Sequence, residues 1–152
     1  MPKLKEISLE FQDKIVILTG AAGGIGTALA REFAGRGARL ALCDLNAAAL
    51  EALAGELGAL HMVCDVTVES HIQALVAEVE ARLGPVDIFF SNAGFSSGEP
   101  DHAASAPDRI WQASWEVHVM AHVYACRALL PAMRARGQGY LVQMASAAGL
   151  LN

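Results

Sequence analysis

Several residues in this chain stand where strand and helix patterns meet, with types suited to chemistry. The densest group is Thr19-Gly20-Ala21-Ala22-Gly23-Gly24-Ile25-Gly26, lying between an apolar run and a helical pattern. Residues without a Cβ let the backbone turn tightly and approach an anion, while free N–H groups and the positive end of the following helix stabilise it. That arrangement suits a pyrophosphate; without a ligand it is simply a tight strand-to-helix turn. Asp44 follows the second apolar run at close to the offset of about 20 residues at which a carboxylate meets the adenosine ribose hydroxyls. It would repel a 2′-phosphate, and no Arg or Lys lies in the glycine turn or directly after Asp44, so NAD is favoured over NADP. The other reading of Asp44 is an N-cap for the helix from Ala47. Cys64-Asp65-Val66-Thr67 places a further carboxylate where it can accept from an adenine amino group, and Ser91-Asn92-Ala93-Gly94 ends another run with small residues.

His118 and His122 stand four apart, so one helix face would carry both imidazoles as in a two-histidine metal site. No further His, Asp or Glu is spaced to complete it, and no metal is expected. Trp111, Trp115, Val119 and Val123 make an apolar stripe suited to core or subunit interface.

The elements that must position these residues alternate. Apolar runs at 14–19, 39–44, 60–64, 86–91 and 140–144 are strand length, and their near-continuous apolarity fits strands covered on both faces. Between them, 25–37, 47–57, 68–83 and 108–136 are rich in Ala, Leu, Glu and Arg at helical spacing. Breakers fall at Gly35, Gly37, Gly84-Pro85, Gly137 and Gly139. This is an α/β chain with a Rossmann-type doubly wound parallel sheet in three layers, five strands being present. Its ligand crevice should lie beyond the C-terminal strand ends.

With 152 residues, 54% hydrophobic and 18% charged, the chain suits one domain able to bury a core. No apolar stretch reaches the roughly 18 uncharged residues a spanning helix needs, so no membrane is expected. A net charge of −5 without a basic run argues against nucleic acid, which requires clustered cations. Cys43, Cys64 and Cys126 are odd in number, lack CxxC spacing and read as small core hydrophobes in a reducing compartment. Lys3 and Lys5 precede Glu6 and Glu10 with no apolar leader, which makes the cytoplasm the expected address.

Taken in order, these motifs resemble the short-chain dehydrogenase/reductase family in its classical form, from Phe11 to Asn152. The resemblance makes Gly20, Gly24, Ile25 and Gly26 the pyrophosphate turn, Asp65 and Val66 the adenine contacts, and Asn92, Ala93 and Gly94 the family's Asn-Ala-Gly signature. Gly20, Gly23 and Gly26 would also fit the extended branch, which includes nucleotide-sugar epimerases; the Asn-Ala-Gly segment favours the classical one. The helix from Trp111 to Met133, ending Leu129-Leu130-Pro131-Ala132-Met133, resembles the family helix that pairs between subunits and implies a homo-oligomer, dimer or tetramer.

By the same resemblance Ser146, within Met144-Ala145-Ser146-Ala147-Ala148-Gly149, is the catalytic serine that would hold the substrate oxygen. A serine in an Ala-rich turn carries no such meaning alone. His118 stands where the family has a relay asparagine; it can donate and accept, so it either retains a relay with altered pH dependence or is merely packed. The family's Tyr-x-x-x-Lys is not among residues 1–152, whose only tyrosines are Tyr124 and Tyr140. The resemblance therefore implies an NAD(H)-dependent oxidoreductase acting on a small-molecule secondary alcohol or ketone, with residues 1–152 the N-terminal part of a longer single-domain enzyme. The alternative is a catalytically silent nucleotide-binding or assembly module, if the chain truly ends at Asn152.

Overall fold

The computed structural model describes residues 10–97 and 105–146. The N-terminal Lys3, Lys5 and Glu6, and residues 147–149 after Ser146, lie outside the described residues. Five parallel strands form one sheet: β1 (Ile15–Thr19), β2 (Arg39–Asp44), β3 (Leu60–Val63), β4 (Ile88–Ser91) and β5 (Tyr140–Gln143). Their spatial order is β3-β2-β1-β4-β5. The chain thus winds outward from β1 in one direction, then crosses back to place β4 on its other side. That reversal opens a crevice between the ends of β1 and β4, where α/β sheets take ligands.

Helices α1 (Gly24–Gly35), α2 (Ala47–Leu57), α3 (Glu69–Arg82), α4 (Asp108–Trp115) and α5 (Ala121–Arg136) cover the sheet. Strand alternation sends successive side chains to opposite faces. Val16 and Leu18 join Ala30 and Phe33 of α1 and Leu50 and Leu53 of α2 on one side. Ile15 and Ile17 join Leu75 and Val79 of α3 and Leu129 and Met133 of α5 on the other. Each fully buried Leu or Ile contributes about 1.5–3 kcal/mol, and β1, buried at all five positions, serves both sides.

Two expectations need correction. Full cover of every strand holds through β1 and for Leu40–Cys43 of β2, but β3 and β5 are the edges of the described sheet. His61, Val63, Tyr140 and Gln143 are exposed accordingly. The expected single α-helix over 108–136 contains a π-helical turn, Glu116–Met120, between α4 and α5. No Gly or Pro marks it, and the residues flanking it keep right-handed helical angles, so the axis continues while the side-chain phase shifts. Trp111 and Trp115 then lie 56% and 55% exposed, outside the core of this chain.

Candidate functional site

The glycine turn is fixed from below by a hydroxyl at the end of β1. Thr19 Oγ1 accepts from the N–H groups of Asn92 and Ala93, both at 3.0 Å, and lies 3.5 Å from the Phe90 carbonyl to which it donates. The Asn92 amide donates in return to the Thr19 and Gly20 carbonyls, both at 3.1 Å. These bonds join the ends of β1 and β4. Asn92 and Ala93 therefore brace the crevice as well as line it. Thr19, 2% exposed, opens the glycine segment singled out from the sequence, but its bracing role was not read there; a lone hydroxyl closing an otherwise apolar run was its signal.

Gly20 takes φ +64°, and a Cβ there would stand 2.7 Å from Ala93 Cα. At Gly26 a Cβ would collide with the Gly20 carbonyl and come within 2.8 Å of Ala21 Cα, so both glycines permit close backbone packing. Gly24 differs: a Cβ would meet nothing within 4 Å, and it faces the crevice. The first intrahelical bond of α1 runs from Thr27 N–H to Gly23 C=O, which leaves the N–H groups of Gly24, Ile25 and Gly26 pointing out of the helix start. Among the described residues no side chain caps α1, and no acidic residue stands in its first turn, so its positive end is left open to an anion.

Asp44 ends β2 across the crevice. Its Oδ2 accepts from Ala22 N–H at 3.0 Å and its Oδ1 from Asn46 N–H at 2.9 Å. The cap of α2 is Asn46, which accepts from Ala49 N–H at 3.2 Å, so the N-cap reading of Asp44 is not observed. The carboxylate instead ties the glycine turn to β2. Asp65 Oδ1 accepts from the N–H and hydroxyl of Thr67, and Asp65 N–H donates to His71 Nδ1 at 3.3 Å, shaping the segment that carries the buried Val66.

These strand ends enclose two adjoining cavities. One of about 650 Å³ is lined by the glycine turn, Asp44, Asn92, Gly94, His118 and Met144. A narrower one of about 200 Å³ is walled by Asp44, Leu45, Cys64, Asp65, Val66 and Phe95. Gly20, Asp44, Ala93, Gly94 and Phe95 belong to both. Among the described residues no Lys or Arg lines either cavity. Leu45, 68% exposed, and Phe95, 41% exposed, are wall residues not singled out from the sequence.

The π-helical turn brings His118 to the larger cavity. Its Nε2–H donates to the Phe95 carbonyl at 3.0 Å, and its Nδ1 lies on the Gly94 side. Ser146 stands three residues beyond β5, on the same C-terminal side of the sheet, where Met144 N–H continues the ladder to the Ser91 carbonyl at 2.9 Å. His122 is not among the residues lining either cavity, and its Nδ1 is buried and unpaired with any described group. Among the described residues no set of three potential ligands surrounds a metal-sized point.

Burial, then the neighbouring His118, pulls His122 below the ordinary histidine range. The unfolded chain therefore binds the proton more readily, and the associated stability is complete above about pH 6.5 and lost as pH falls through the lowered folded value. The melting temperature should be lower at pH 5.5 than at pH 7.5, with a smaller difference in His122→Gln; equal slopes in both proteins would overturn the assignment.

The geometry defines a Rossmann-type α/β sheet with a glycine turn, two strand-end carboxylates and an Asn-Ala-Gly brace around one crevice. The profile of the short chain dehydrogenases matches residues 14–152, and the chain belongs to the short-chain dehydrogenase/reductase family in its classical form. It is 36% identical to D-threitol dehydrogenase of Mycolicibacterium smegmatis, covering 97% of this chain and 60% of that protein. Galactitol 2-dehydrogenase (L-tagatose-forming) of Cereibacter sphaeroides is 40% identical over 88% of this chain and 53% of its own. Among solved structures, a short-chain dehydrogenase/reductase from Burkholderia phymatum in complex with NAD superposes with a TM-score of 0.87 at 31% identity, covering 95% of this chain and 53% of that one. A metagenomic short-chain oxidoreductase in complex with NADP gives 0.82 at 30%, covering 93% and 66%. The chain spans roughly half the length of these curated relatives.

Proposed function

We propose that residues 1–152 are the cofactor-binding part of a longer single-domain oxidoreductase that uses NAD(H) on a secondary alcohol or its ketone. The observation that carries this reading is the crevice itself, where the glycine turn, Asp44, Asp65 and Asn92-Ala93-Gly94 border two adjoining cavities. A dinucleotide fits its chemistry: unpaired N–H groups at the start of α1 suit a pyrophosphate, and the open space at Gly24 admits it. Gly20, Gly24, Ile25 and Gly26 would hold that group, Asp44 the adenosine ribose, and Asp65 and Val66 the adenine. When bound, the nicotinamide supplies the hydride acceptor or donor.

The chain's own residues orient and exclude. Asp44, with no cation among the described residues lining the crevice beside it, disfavours a 2′-phosphate and supports NAD over NADP. Ser146 would hold the substrate oxygen by its hydroxyl, and His118, anchored through Nε2, would pass a proton at Nδ1. The exposed Trp111 and Trp115 support a homo-oligomer, and the three free thiols support a reducing, cytoplasmic setting.

Calorimetry with NAD and NADP tests the cofactor, and turnover of a panel of secondary alcohols tests the activity. Wild type should bind NAD more tightly than NADP. Asp44→Ala should lose about 10–100-fold in NAD affinity, since hydrogen bonds to a charged group are worth about 1.5–3 kcal/mol. Preference for NADP overturns the cofactor choice, binding of neither overturns the reading, and binding without turnover by the full-length protein favours a silent nucleotide-binding module.

A further inference from the structure

We propose that His118 makes this crevice discriminate between the two redox forms of its dinucleotide: the charged imidazole disfavours the oxidised nicotinamide, a cation, and spares the uncharged reduced ring. This rests on the nucleotide reading above. Among the described residues lining the two cavities, Asp44 and Asp65 carry negative charge, and His118 is the one side chain able to become positive. The charges are also segregated. Asp65 walls the narrow cavity with Val66 and Asp44 joins the two, whereas His118 lines only the larger one, with Ser96 and Met144. A dinucleotide with its adenosine at Asp44 and Asp65 and its pyrophosphate at the start of α1 has this remaining wall left for its nicotinamide half.

The imidazole is held in place there. Its Nε2 lies 3.0 Å from the Phe95 carbonyl, which only accepts, so Nε2 keeps its hydrogen in either charge state and the titrating nitrogen is Nδ1. The ring packs on the Phe95 ring at 5.4 Å between centroids, and a Cβ added at Gly94 would stand 2.9 Å from His118 Cε1 and 3.4 Å from Nδ1. The titrating edge therefore lies along the Asn-Ala-Gly brace. The loop packed against it, 92–96, contributes Asn92 and Ser96 and no charge, and the end of β5 contributes Met144. On its own helix His122 stands one turn on and Glu116 accepts from the Gln112 amide at 2.8 Å, while Asp44 stands across the cavity. His118 is exposed and water screens its charge, so the effect is several-fold.

Histidine ordinarily titrates between about pH 5 and 8. As pH falls through that interval the imidazole gains a charge like that of the oxidised ring, and the resulting repulsion is absent for the reduced ring. Attraction of the imidazolium for the pyrophosphate, and any titration of Asp44 or Asp65 beside the adenosine, acts on both forms alike and cancels in the ratio of their dissociation constants. The crevice therefore holds NADH more tightly relative to NAD as pH falls. Linkage makes the effect reciprocal: NAD binding expels part of the His118 proton, and NADH binding does not.

The test is calorimetry of the full-length protein with NAD and with NADH at about pH 6 and about pH 8. In wild type the ratio of the NAD to the NADH dissociation constant should rise by about threefold or more at the lower pH. His118→Asn, whose amide keeps a donor for the Phe95 carbonyl without the charge, should lose that rise. Groups outside residues 1–152 act on both proteins alike. Wild type alone supplies a second measurement: near pH 6.5, titrations in two buffers of different ionisation enthalpy should show more proton release with NAD than with NADH. A wild-type ratio constant with pH, equal proton release by the two forms, or a rise as large in His118→Asn overturns the inference and leaves the nucleotide reading standing. Failure to bind either form at both pH values overturns that reading and the inference with it.

Discussion

Gly26→Ala should destabilise the fold by about 3 kcal/mol and abolish measurable dinucleotide binding, because the added methyl has nowhere to go. Its Cβ would meet the Gly20 carbonyl and Ala21 Cα, backbone atoms of the turn that cradles the ligand, so α1 must withdraw from β1. Gly24→Ala is the informative companion. Nothing within 4 Å opposes its Cβ, so stability should hold, or rise by up to about 1 kcal/mol through helix propensity, while dinucleotide binding weakens by at least tenfold. Urea unfolding and calorimetry on both variants separate a glycine required by packing from one required by the ligand. Equal loss of stability in the two would sink the distinction.

Thr19→Val should be the second large effect. The substitution keeps the shape and removes the acceptor of the Asn92 and Ala93 N–H groups. An orphaned buried donor costs about 1–3 kcal/mol, so a loss of about 2–5 kcal/mol is expected, accompanied by weaker dinucleotide binding as Asn92-Ala93-Gly94 leaves the end of β1. Thr19→Ser retains the oxygen and should lose only about 1 kcal/mol, for its missing methyl. A Val variant as stable as the Ser variant would show that water replaces the hydroxyl and that the brace has little energetic weight.

How far the sequence could be read depends on how local each cause is. The glycine turn, Asp44 at the end of β2 and the parallel α/β alternation were legible because side-chain type and spacing determine them over a few residues. The structural contacts of Asp44 were not legible. That its carboxylate binds Ala22 N–H, 22 residues away, depends on the pairing of β1 with β2, and the capping of α2 passes to Asn46. The brace made by Thr19 was not legible for the same reason, since its partners are 73 and 74 residues distant. The half-exposed face of β3 follows from strand order, which apolarity along a single run does not encode. The π-helical turn at Glu116–Met120 has no breaker residue to announce it, because one inserted residue shifts side-chain phase without demanding unusual backbone angles.

The division of the core by the sheet has an evolutionary consequence. Phe33 and Leu50 belong to one half-core and Leu75 and Leu129 to the other, with the sheet between them. Substitutions drawn from opposite halves share no partner and should combine additively, whereas those within a half should show epistasis. Sequence drift beneath α1 and α2 can then proceed without compensating change beneath α3 and α5. Adjacent strand positions such as Ile17 and Leu18 face different histories, and the unit of molecular evolution here is a face of the sheet, not a stretch of chain.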